Sequence, residues 1–390
     1  MLLRNLYLPG NPDAVDLRIR SGIIEKLTPA GAICRDAAVT ELDLRDAWLL
    51  PGLINSHDHL DFNLFPQMGL PPYNSYREWG MHIHAQYADS IRRIRAIPLP
   101  LRIQWGLYKN MLQGFTTVVN HGRHLSIQDP FISVLQPSQL HSVGFEKRWR
   151  WKLNYAGQFR DTMVIHAGEG TDQSSYAEIN QLIRWNIIRR PMVLVHGVAM
   201  QAEQARHCKA LVCCPASNFF MLHATADIAE LKQYLPVLFG TDSTLSAPWN
   251  HWSHLHMALE TGMFSEEELL HACTSSAAAV WRISSYGIQT GMPADCIAIK
   301  RKPDLSLMRS RLLDIELVMH RGNLLLLDES LLTDALQYRL AGSSYSRILL
   351  DGACKWVKGD LPWLMEQIHT ACPGIQFPAE IKSIEHAAAG

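Results

Sequence analysis

Apolar positions fall into two rhythms along this chain. Over residues 1–50 they form short strand-like runs at 2–8, 15–20, 23–27 and 40–44, punctuated by Pro9-Gly10 and Ser21-Gly22. Short apolar or alternating runs bounded by turn residues are the mark of strands. From about residue 48, apolar runs alternate with longer stretches of helical spacing. Strands are expected at 49–55, 116–120, 163–166, 192–196, 210–215 and 237–240. Helices are expected at 91–111, 175–189, 224–234 and 265–282. Such alternation predicts an α/β fold with a parallel sheet. After residue 286 strand character returns, at 291–299 and 315–327. The simplest arrangement is a small β domain built from both chain ends around a barrel. The expected boundaries are 1–50, 51–286 and 287–342, with an extension over 343–390 that holds a turn at Asp351-Gly352 and a helix at 361–370.

Composition narrows the picture. The 390 residues are long for one ordinary domain and suit a barrel with a smaller attached one. Lys+Arg 36 against Asp+Glu 37 leaves a formal charge of -1. No charged field recruits a polyanion, so nucleic acid is excluded as the expected partner. No long uncharged apolar run suggests a membrane span, and the first ten residues lack the pattern of a signal peptide. The eight cysteines are scattered without a CxxC. Reduced thiols and a cytoplasmic location are expected.

The chemistry stands at the ends of the expected strands. His57-Asp58-His59 closes the first. Side chains i and i+2 of a strand share a face, so two imidazoles can aim at one point and bind a metal. HxH alone is weak evidence. The chain repeats it at His82-Ile-His84 and His254-Leu-His256, in helical or loop segments where the two rings diverge, and those are expected to be structural. His166 ends the third of these strands, and Glu169 follows it past Ala-Gly, within reach of the same cavity as a proton carrier. His196 ends the fourth, and Gly197 lets the chain turn sharply. Asp242 follows the last, where a carboxylate can bind metal or take a proton from water. Packing alone does not call for His or Asp at four such ends. In a (β/α)8 barrel those ends face one site. Asn120, His121 and His124 follow the second strand and are candidates to touch substrate. The aromatic and charged segment around Tyr73, Tyr76, Arg77, Glu78 and Trp79, expected as a loop, either covers the mouth or packs on a neighbouring subunit. Trp249, His251 and Trp252 are open to the same two readings.

With those motifs in view, the chain resembles the amidohydrolase superfamily over nearly its whole length. Pro51-Gly-Leu-Ile-Asn-Ser-His57-Asp-His59 is similar to the first-strand signature, and Gly114-Phe-Thr-Thr-Val-Val to the second. His166-Ala-Gly-Glu169 resembles the HxxE element of the deaminase branch. Cys214-Pro-Ala-Ser-Asn218 and Gly240-Thr-Asp242-Ser243 resemble later strand elements of the deaminase and chlorohydrolase group. The resemblance implies a (β/α)8 TIM-like barrel plus a small β-sandwich built from both chain ends. It implies one divalent metal, Zn2+ or Fe2+, held by His57, His59, His166 and Asp242, with no Lys in place to bridge a second. It gives Glu169, His196 and Asp242 as catalytic groups, and Asn218 is placed with the substrate contacts. The implied reaction is attack of an activated water on an sp2 carbon of a small-molecule nitrogen heterocycle, releasing an amine. Ring opening of a cyclic amide by the same residues is the alternative, and an inactive scaffold is a second. A homodimer or larger assembly is a further implication. Two departures stand out. Only about 45 residues lie between the second-strand motif and His166, so strands are short or a helix is missing there. His223 stands where relatives often carry glycine.

Overall fold

The computed structural model describes residues 1–34, 39–155, 161–333, 336, 340 and 344–383. The chain divides into two compact units, Met1–Leu53 with Leu107–Thr116 and Ser284–Gly390, and Ile54–Gly106 with Thr117–Ile283.

In the first unit the amino-terminal segment forms β1 (Leu2–Tyr7), β2 (Ala14–Arg20), β3 (Ile23–Pro29) and β4 (Glu41–Pro51). The second unit carries β5 (Leu53–Asp58), β6 (Phe115–Asn120), β7 (Ser133–Leu135), β8 (Ser138–Ser142), β9 (Met163–Ala167), β10 (Met192–His196), β11 (Ala210–Cys213) and β12 (Val237–Phe239), with the first residues of β5 and β6 belonging to the first unit. The chain then returns to the first unit for β13 (Cys296–Ile299), β14 (Ile315–His320), β15 (Asn323–Asp328), β16 (Tyr345–Leu350), β17 (Ala353–Lys358) and β18 (Ile381–Ser383).

Ten of these strands share one sheet, ordered β18-β16-β17-β15-β14-β13-β4-β1-β2-β3. It is antiparallel except between β1 and β4. The β4–β13 pairing joins the two ends of the chain edge to edge. Three hairpins turn on two residues each, Ser21-Gly22, Arg321-Gly322 and Asp351-Gly352, and both residues of every pair have positive φ. That is the type I′ geometry that matches strand twist, and it explains the glycine at the second position. One buried apolar cluster runs through these strands, from Leu3 and Leu17 to Leu49, Leu317 and Trp356. The expected extension is built into this sheet through β16 to β18, and its helix forms at Leu361–Ala371. Residues 384–390 of the extension lie outside the described residues.

The second unit holds two sheets, β5-β6-β7 and β12-β11-β10-β9-β8. Parallel pairing links β6 with β7 and all neighbours from β8 to β12. Every residue of β5, β9, β10 and β11 is buried, as strands covered on both faces must be. The chain is thus an α/β protein with parallel sheets. The shortage of residues before His166 has a visible cause. β7 and β8 are three and five residues long, and only Gln136 and Pro137 separate them.

The helices are more broken than their periodicity predicts. The run at 91–111 becomes Ala88–Ala96 and Leu99–Met111, interrupted at Pro98, which lacks an N–H and disfavours helix before it. The run at 265–282 becomes Glu266–Ala272, opened by a Ser265/Glu268 capping box, and Ser275–Trp281. The run at 175–189 ends early as Gln173–Trp185, and only Ile228–Leu231 forms within 224–234. Among the described residues, no helix is long and apolar enough to cross a membrane.

Candidate metal centre and active site

The second unit gathers its strand-end residues at one place. His57 and His59 leave β5, His166 and His196 stand at or near the ends of β9 and β10, and Asp242 follows β12. Ligand atoms of His57, His166 and His196 lie within 4.8 Å of one another, and so do those of His57, His59 and Asp242. Two of the five hold left-handed backbone, His196 at φ 71° and Asp242 at φ 55°. Non-glycine residues seldom adopt it, and such strain is retained mainly where a site needs it. Gly240 lies against the same point. A Cβ there would fall 2.7 Å from that of His57.

Hydrogen bonds decide which ring nitrogens face the centre. His166 Nδ1 lies 2.8 Å from the carbonyl of His141. A carbonyl only accepts, so Nδ1 carries the proton and Nε2 keeps a lone pair, aimed at His57 Nε2 3.1 Å away. His196 is held alike. Its Nδ1 donates to Asn218 Oδ1 at 2.8 Å, and Asn218 Nδ2 donates to Thr225 Oγ1, which fixes the amide's orientation. Metal-binding imidazoles are commonly oriented this way, by a partner on the far nitrogen. Burial, then crowding by neighbouring imidazoles, pushes His166 well below the usual histidine range. Burial also lowers His196, although Asp242 and Asn218 work against it. Both shifts favour the neutral ring, the form that binds metal.

Asp242 is the anion among them. Its Oδ2 accepts from Ser217 Oγ and Ser246 Oγ, both at 2.8 Å, and its Oδ1 accepts from Ser243 N. Burial opposes its charge, but His59, His196 and the two hydroxyls outweigh that and hold the carboxyl below its ordinary range. His59 Nε2 stands 3.5 Å from Asp242 Oδ1. Four clustered imidazoles with one carboxylate held below its ordinary range make a donor set that fits a divalent zinc or iron.

Glu169 has the opposite electrostatics. Burial, with Asp242 and Glu178 nearby, raises its carboxyl well above the usual range. It faces His196 Nε2 at 3.5 Å. Its loop is pinned from behind, where Gly168 N donates to Glu178 Oε2 and Tyr76 N donates to Glu169 O. Tyr76 Oη donates to the other Glu178 oxygen at 2.9 Å, and Arg77 pairs with the same oxygen at 3.4 Å. Glu178 thus ties the Glu169 loop to the helix Tyr76–Gln86.

That helix stands where a loop was expected, and it walls a cavity of about 510 Å3 together with His59, His166, Glu169, His196 and Asp242. Trp79 lines the cavity, braced by a hydrogen bond from Nε1 to Met68 O. The other residues expected to touch substrate do not line it. Asn120 accepts from Leu60 N, His121 is buried beside His57 and His166 with Nε2 on Leu140 O, and Asn218 sits behind His196. His124 is exposed. Trp249, His251 and Trp252 are buried outside the lining. His82 and His84 diverge on their helix as expected, yet His84 reaches the cavity while His82 packs near Tyr73 and Tyr87. Sequence reasoning also missed His141, Phe145, Met221 and Leu245 in the lining. The only usable signal lay in the helix, where 76, 79, 80 and 83 follow helical spacing behind Ser75.

No family model matches the sequence. A 5'-deoxyadenosine deaminase from Methanosarcina mazei is 34% identical over 68 residues, and the match spans 17% of this chain and 16% of that protein. A solved adenosine deaminase from Xanthomonas campestris with bound zinc superposes with TM-score 0.66 at 14% identity, covering 95% of this chain and 98% of that one. A zinc-complexed atrazine chlorohydrolase from Arthrobacter aurescens gives TM-score 0.64 at 18% identity, covering 87% and 98%. This chain has the fold of these two hydrolases.

Proposed function

We propose that the chain is a metal-dependent hydrolase that deaminates a nitrogen heterocycle. One observation carries this reading. His59, His166, His196, Asp242 and Glu169 converge on one cavity, with the Asp242 carboxyl held below and the Glu169 carboxyl held above the ordinary range. The likeness to a deaminase and a chlorohydrolase of heterocycles supports it. The same reading takes the eight strands β5 to β12 as a closed (β/α)8 barrel. In support, Thr241 N and Asp242 N, just past β12, both donate to His57 O in β5. It takes the ten-stranded sheet as a sandwich folded over its own core.

His57, His59, His166 and Asp242 would hold one divalent ion, zinc by the company of the fold. His196 is near enough to join them. When bound, the ion would supply a water activated for attack at neutral pH. Asp242 and His196 face that point and take up the water's proton. Glu169, kept protonated by its surroundings, donates to the ring nitrogen beside the attacked carbon, which makes that carbon more electrophilic. The new carbon–oxygen bond forms as the ring nitrogen accepts the electron pair. The carbon–amine bond then breaks as the one proton held by Asp242 or His196 passes to the amine, which leaves as ammonia, and the hydroxyl proton of the tetrahedral centre returns to Glu169 as the carbonyl forms. Asn218 and Glu178 touch no reacting atom. They hold His196 and the Glu169 loop in place.

Ammonia release from metal-loaded protein over a panel of aminopurines, aminopyrimidines and aminotriazines tests the reading. Release from one ring class, lost in Glu169→Gln, is the expected result. Hydrolysis without ammonia would point to ring opening of a cyclic amide, and no turnover with full metal content would point to a scaffold.

A further inference from the structure

The cavity has two unlike ends. At the inner end the histidines, Glu169 and Asp242 are all buried. At the outer end Met81 and Phe145 line the same cavity yet are 67% and 51% exposed, which places them at the mouth. The cavity's lining also carries the apolar Phe62, which stacks on His59, with Trp79, Ile83 and Leu245. No lysine or arginine is among the described residues that line it. Two cations close by in the chain are engaged elsewhere, Arg77 with Glu178 and Tyr76, and Arg123 with Asp61. Phosphate and carboxylate groups are held by arginine or lysine forks, and an anion brought against an apolar wall loses hydration without repayment. His84 and His141 offer single ring nitrogens at this wall, enough for one hydroxyl or amide but not for the oxygens of a phosphate.

We infer that the substrate is an uncharged heteroaromatic amine carrying an apolar alkyl or aryl substituent, with the ring at the histidine end and the substituent running between Trp79 and Phe145. This rests on the reading of the cavity as an active site. It excludes nucleotides and acid-bearing heterocycles, which the inner end alone would not. Met81 and Phe145 then set specificity. Both are largely exposed in the free protein, and a substituent of four to six carbons would cover them.

Matched ligands test it on the metal-loaded full chain. Adenine and 2-amino-1,3,5-triazine would each carry either a hexyl or a 5-carboxypentyl chain. Binding would be measured by calorimetry and turnover by ammonia release. The hexyl compound should bind, and be turned over, on the order of 100-fold better than its carboxylate twin. Met81→Arg and Phe145→Arg should each narrow that gap about tenfold, with metal content unchanged as the check on folding. Hexyl compounds that bind no better than the carboxylates on either ring would overturn the inference. Ammonia released equally from both twins would overturn it while sparing the deaminase reading. Selective binding of the hexyl compounds without ammonia from any ring would uphold the inference and sink that reading.

Discussion

Both units bury polar groups, and they treat them in opposite ways. In the ten-stranded sheet Lys355 is fully buried, and its ammonium donates to Asp328, Leu313 O and Ile315 O at 2.6–2.9 Å. Three donors meet three acceptors. Arg4 is similarly held by Asp16, Glu41 and Ile33 O. In the parallel unit, imidazoles are locked from behind so that their other nitrogens crowd one another, and two residues of the cluster hold strained backbone. The first arrangement is complete within the chain. The second acquires its sense from something brought in. A satisfied buried charge reads as structure, and converging lone pairs read as a ligand site.

The largest break in this comparison should come from Asp242→Asn. It keeps the shape and removes the one firmly ionised ligand, so turnover should fall by several orders of magnitude with circular dichroism unchanged. Normal activity in that variant would remove Asp242 from the mechanism. Glu169→Gln should lower kcat by about 10^2–10^4 while metal content stays intact. Loss of metal instead would make Glu169 a ligand. On the other side of the comparison, Lys355→Met leaves Asp328 without its partner and should cost about 3–5 kcal/mol in denaturant unfolding. Activity per folded molecule should hold, and Lys355→Met with Asp328→Leu should recover much of the stability. An undiminished midpoint for the single variant would show that the pair contributes nothing. The smallest effect is expected from Glu178→Gln, about tenfold in kcat with KM and metal content little changed. A change confined to KM would mean that Glu178 acts through the cavity wall rather than through the Glu169 loop.

Much of the site was legible because its residues sit at the ends of short, wholly apolar strands. His166, His196 and Asp242 could be found by where apolar runs stop. The wall of the cavity was not legible in that way. Tyr76, Trp79 and Ile83 lie on a helix whose spacing was hidden by polar neighbours, and His141 and Phe145 come from a short, half-polar strand and turn with no pattern of their own. The shortage of residues before His166 was visible, but not its distribution between two short strands and an absent helix. His223 shows the converse. It stands in left-handed backbone, φ 51°, at the end of the helix Pro215–Leu222, which is why glycine suits that position. The pairing of β4 with β13 joins residues well over half the chain apart, and no local pattern announces it.

The central claim is that the histidine cluster exists to hold a metal. Plasma mass spectrometry of the purified protein beside His57→Ala tests it most directly. About one zinc or iron per chain, lost in the variant, is the expected result. A protein that holds no metal even after reconstitution, or a variant that binds as much as the parent, would contradict it.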